Sequence, residues 1–137
     1  MVQNRNKLIE LFIGNISNSV LHKVLEKAAD NDELSDKYNK EIMTSFDIAM
    51  KYREKINPIS LPLPSQDIQY IRQKVINRVK SELQIRISKG YNGIDINLVE
   101  QFEELHRRYQ QYQEFLQRLQ PCINLLLLLF QYFYFWV

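Results

Sequence analysis

A chain of 137 residues in which 25% are charged and 45% apolar is long enough to bury one real core and too apolar to stay disordered. Its formal net charge of +2 is too small to demand a polyanionic partner, and its single cysteine, Cys122, excludes an intramolecular disulfide framework and a cysteine-built zinc site. Three glycines and four prolines leave few turns, which favours long helices.

The first element runs from about Arg5 to Ala29. Leu8, Ile9, Phe12, Ile16, Val20, Val24 and Ala28 recur mostly at three- and four-residue steps, one face of an α-helix. Gly14 inside it costs about 1 kcal/mol relative to alanine and reads as a tolerated flaw. No secretory pattern opens the chain, because Glu10 and Asn15 break the apolar stretch. A second helix is predicted from Asp32 to Ile56 on the stripe Leu34, Tyr38, Ile42, Phe46, Ala49 and Tyr52. Asp32 and Glu33 lie in its first turn and Lys51, Arg53 and Lys55 near its last, which suits the helix dipole. The short connection makes residues 1–56 a helical hairpin.

Residues 57–65 read N-P-I-S-L-P-L-P-S, a proline-rich connector that forbids helix. Ser65 is the expected N-cap of a third helix, with Ile68, Ile71, Val75, Val79 and Leu83 as its stripe. Gly90 is placed to end it. Asn92-Gly93 also fits a hairpin turn, so a small β-element over Leu83–Ile87 and Ile94–Ile96 is a minority reading. Asn97 and Glu100 resemble a capping box that starts a fourth helix. There Leu98, Phe102, Leu105, Tyr109, Tyr112, Leu116 and Leu119 follow alternating steps of four and three, a coiled-coil-like heptad seam. It continues through Ile123, Leu126, Phe130 and Phe133, with Pro121 as the one break. The expected fold is all-α and four-helix bundle-like. Residues 66–118 belong to the same domain as the hairpin, and 119–137 form an apolar tail.

That tail holds no charge from Leu119 to Val137 and would span about 28 Å as a helix, close to a bilayer core. Three readings compete. It is a membrane anchor with the body in the cytoplasm, a buried or oligomeric core helix, or a stretch read out of frame, since composition shifts after about Leu105. The third helix offers a different surface. Arg72, Lys74, Arg78, Lys80, Arg86 and Lys89 against Glu82 alone make it a candidate for nucleic acid or anionic lipid headgroups. They scatter around the helix, however, as a solvated face does.

Chemistry is poorly represented. Glu103 and His106 have the Glu-x-x-His spacing of half a di-iron site, but the second half is missing. No nucleophile–histidine pattern, phosphate loop or zinc motif is present. The sequence therefore predicts a small non-enzymatic helical interaction module without cofactor or small-molecule substrate. Its seam would serve a protein partner or a second copy, and nucleic-acid binding through the third helix is the alternative.

Overall fold

The computed structural model describes residues 4–135 and the side chains of residues 4–134. Its helices are α1 (Arg5–Ala28), α2 (Asp32–Ile56), α3 (Ser65–Ser88) and α4 (Leu98–Phe135), and no strand forms among the described residues. Neighbours in the chain run antiparallel. Arg5 pairs with Asp67 at one end of the bundle, and Gly93 lies against Ala28 at the other, so α1 and α3 run parallel. Ion pairs Lys80–Glu100 and Arg72–Glu103 then set α4 antiparallel to α3.

α1 is the central helix and packs against the other three. Its buried set is wider than one stripe: Ile13, Leu21 and Leu25 join Leu8, Phe12, Ile16, Val20 and Val24. The additional faces are needed because three neighbours surround it. α3 contributes Ile71, Val75, Ile76, Val79 and Leu83, and α2 buries mainly its second half, through Phe46, Ala49 and Ile56. Leu63 carries the connector into the same core. Gly14 is tolerated, since a Cβ there would meet only the Arg78 guanidinium at 3.6 Å.

The helix ends differ from the sequence reading in several places. Asn31 caps α2 as a side-chain acceptor for the Leu34 N–H at 2.8 Å. Ser65 is not the cap of α3: Pro64 takes that position, and its carbonyl accepts from the Ile68 N–H at 3.0 Å. The Asn97–Glu100 capping box does not form, because the Glu100 carboxylate pairs across the bundle with Lys80. Asp95 replaces it and accepts from the Asn97 N–H at 3.0 Å. The β-hairpin reading fails too. Leu83–Ile87 complete α3, because Val75, Val79 and Leu83 bury at four-residue steps while Ile85 and Ile87 stay exposed. Gly90, at φ +92°, then closes α3 with paired bonds from Gly90 N–H to Ile87 C=O and from Tyr91 N–H to Arg86 C=O. Pro121 does not end α4, which runs on as one helix to Phe135.

Candidate functional site

α4 has 38 residues and is about 57 Å long, whereas α1, the helix it lies along, has 24 and spans about 36 Å. The first half of α4 docks; the rest projects. The side that docks is the unexpected one. Only Phe102 of the heptad seam is buried, and Leu98 is half-buried. Leu105, Tyr109, Tyr112, Leu116 and Leu119 are exposed, although Tyr109 keeps one ring contact with Phe46 at 5.2 Å. The buried side instead carries Val99, Glu103, Gln110 and Glu114, with His106 half-buried among them. Of the seven seam residues, Leu98 and Phe102 thus pack into the core and Tyr109 touches Phe46, while the other four are exposed.

What holds this polar side is a set of directed contacts. Arg53 of α2 is wholly buried and places its Nε 2.6 Å from Glu114 Oε1. The same guanidinium donates to the Asn57 side chain at 2.5 Å and to the Leu61 carbonyl at 3.0 Å, which ties the connector to both helices. Gln110 donates to Glu114 at 3.0 Å, and Arg118 donates to the Ile59 carbonyl at 2.8 Å. Arg53 thus lies in the last turn of α2, as the sequence places it, but is buried there. Higher up, His106 sits against α1 with Nε2 2.8 Å from Ser19 Oγ and Nδ1 2.8 Å from the Phe102 carbonyl. Burial pushes its pKa below the usual 6.5, Nδ1 of the neutral ring donates to the Phe102 carbonyl, and the single Ser19 hydroxyl hydrogen is shared between His106 Nε2 and the Ile42 carbonyl 3.0 Å away.

Glu103 lies between Arg72 and Arg107, each 3.4 Å away. Burial raises its carboxyl pKa, while Arg107 and Arg72 pull the other way. The Glu103–His106 spacing brings no metal site. The two side chains face different partners, both His106 nitrogens are engaged, and no group of metal-ligating side chains occurs among the described residues. His22 is elsewhere, paired with Glu41 at 2.5 Å.

Below Glu103 the docked side of α4 does not close fully on α1 and α3. A cavity of about 260 Å³ remains, floored by Phe12, Ile16, Leu63, Ile68 and Ile71. Its α4 wall consists of Glu103, Arg107, Gln110, Gln111, Glu114 and Arg118.

Beyond Glu114 every described side chain is exposed, including Leu125 to Leu129, Phe130, Tyr132, Phe133 and Tyr134. The tail is therefore not a helix buried within its own chain. No helix among the described residues is long and apolar enough to cross a membrane. Gln120, Asn124, Gln131 and the tyrosines dilute the leucines. Gln113, Gln117, Gln120, Asn124 and Gln131 moreover fall within roughly 60° of one another at 100° per residue. The Gln120–Asn124 hydrogen bond of 3.1 Å lies on this amide stripe. It continues the side that docks above, but Leu125 and Leu128 fall on that side too, so the tail is apolar around most of its circumference.

Of the basic residues on α3, Arg72 and Lys80 are committed to Glu103 and Glu100 of α4, and Arg86 to Glu82. Lys74 lies over the Tyr70 ring, 5.6 Å from its centroid. Lys89 ends the helix. The Arg78 guanidinium lies beside Gly14 of α1, and three of these six cations are paired with carboxylates and a fourth with a ring.

The residues that sequence reasoning missed are Arg53, Gln110, Glu114 and Ser19. A signal for α4 existed in the four-residue spacings Glu103–Arg107, Gln110–Glu114 and Glu114–Arg118, which put a polar network on one side. Comparison with protein-family models, curated proteins and solved structures returns no match.

Proposed function

We propose that this protein is a non-enzymatic helical interaction module that associates with a second copy of itself through the apolar side of α4. The observation that supports this is the exposure of the seam. Leu105, Tyr112, Leu116, Leu119, Ile123, Leu126, Phe130 and Phe133 lie in solvent, on a helix whose polar side is engaged as far as Arg118. A contiguous apolar surface of this kind marks an association site. A second copy is the occupant the chemistry favours. The seam is uncharged at every position and so complements itself, and symmetric homo-oligomers are the commonest assemblies. The amide stripe beside it would then set register, as buried amides do in coiled coils.

Sedimentation velocity of the full chain tests this. The expectation is an oligomer at micromolar concentration that Leu119→Glu with Leu126→Glu converts to a folded monomer. A wild-type chain that sediments as a monomer at tens of micromolar sinks the proposal. Nucleic-acid binding through α3 is the weaker reading, given the ion pairs of Arg72, Lys80 and Arg86. A low-salt mobility shift abolished by Lys74→Glu with Arg78→Glu would favour it.

A further inference from the structure

The exposed seam of α4 is mirrored in side-chain size about Pro121. Heptad spacing is symmetric about any midpoint between two layers, but the kind of side chain at each layer need not be. Leu119 and Ile123 lie two residues either side of Pro121, and Leu116 and Leu126 lie five either side; all four are aliphatic. Tyr112 and Phe130 lie nine residues away and Tyr109 and Phe133 twelve, and all four are aromatic. The two flanks of the seam are unlike each other near this centre. One carries Phe115, Cys122 and Leu129, and the other carries Gln120 between Gln113 and Leu127.

We propose that two copies of α4 associate antiparallel, centred on Pro121, so that the projecting half of each covers the exposed seam on the docked half of the other. This rests on the self-association through α4 proposed above. Reversing one helix sets each layer against its mirror layer: Leu119 meets Ile123 of the second copy, Leu116 meets Leu126, Tyr112 meets Phe130 and Tyr109 meets Phe133. Aliphatic layers then fill the centre and aromatic layers both ends. A parallel pair sets each seam residue against its own copy and makes no use of the mirror. The flanks agree. An antiparallel pair brings like flanks together, Phe115 with Leu129 and Gln120 with Gln120, whereas a parallel pair crosses them and sets Phe115 against Gln120. The bundle agrees too. Val99 and His106 turn the amide-bearing flank of the docked half onto the body. A parallel partner would bring a second bundle to that level, and an antiparallel partner brings only its slender tail.

The test is double electron–electron resonance on the full chain with one spin label per copy, placed at Gln117→Cys or at Gln131→Cys in a Cys122→Ser background. Both sites are exposed and occupy the same heptad position, so a parallel pair gives one label–label distance for both. An antiparallel pair offsets the two labels along the axis by about 12 Å at residue 117 and about 30 Å at residue 131. The distance at 131 should therefore be longer by about 10 Å or more. Equal distances in a chain that sediments as a dimer overturn the antiparallel arrangement and leave self-association standing. A wild-type chain that sediments as a monomer overturns both. Mixing unlabelled variants supplies a second readout. Leu116→Lys mixed with Leu126→Glu should associate at least about tenfold more tightly than Leu116→Lys mixed with Leu116→Glu, because only the first mixture sets the opposite charges in one antiparallel layer. An equal or reversed order overturns the proposal.

Discussion

From Val99 to Glu114, α4 turns its polar side inward and leaves its apolar side in water; from Phe115 to Tyr134 it buries no side chain. The docked half is held by charge and hydrogen bonds; in the projecting half Arg118 still reaches the Ile59 carbonyl, and farther on Phe130 stacks with Tyr134 within α4 itself. Periodicity was sufficient to show which residues share a side of this helix. It was not sufficient to show which side the bundle would take. Arg53 decides that: once it is buried in α2, only an acceptor-rich surface can cover it, and Glu114 with Gln110 supplies one.

The sharpest way to break this contrast is to remove the buried cation. Arg53→Met leaves Glu114 desolvated and unpaired and should destabilise the fold by about 3–5 kcal/mol, measured by chemical denaturation. The double variant Arg53→Met with Glu114→Leu should recover a large part of that loss, because both buried charges are then gone. Equal destabilisation in the single and double variants would mean that the pair matters only for packing.

A smaller effect is expected higher in the docked half. Ser19→Ala removes the hydroxyl that His106 Nε2 and the Ile42 carbonyl share and should cost about 1–3 kcal/mol. His106 also sets a pH dependence. Its pKa is lowered on folding, so the unfolded chain binds more protons once pH falls below the unfolded value near 6.5. Stability contributed by the neutral ring is present above pH 6.5 and declines as pH falls from there toward the folded pKa. The difference in unfolding free energy between wild type and His106→Gln should narrow over that window; a constant difference would show that the ring does not titrate there.

The smallest effect belongs to the projecting half. Ending the chain at Arg118 removes no buried side chain and should change bundle stability by less than about 0.5 kcal/mol, while abolishing self-association. A large loss of stability would show that the two halves are energetically one.

Helix positions were largely legible in the sequence. α1, α2 and α3 start and stop within a residue or so of where periodicity, caps and prolines put them, and the core residues Phe12, Val20, Phe46, Val75 and Leu83 carry the pattern that buries them. The cavity and the polar dock were not legible. Glutamate, glutamine and arginine are ordinarily surface residues, and their burial here depends on partners far away in the chain: Arg53 and Glu114 are 61 residues apart, and Ser19 and His106 are 87 apart. The α4 capping box was misread for a similar reason, since Glu100 has a better partner in Lys80 on another helix.

The directed contacts along the docked half have one more effect. Leucine rows can slip past their neighbours by a turn at modest cost, whereas Glu114 under Arg53, His106 against Ser19 and Arg118 on the Ile59 carbonyl coincide in a single axial position. Together they work as a vernier scale. They fix how many residues of α4 reach past the bundle, and so the distance at which the apolar tail is held from the body.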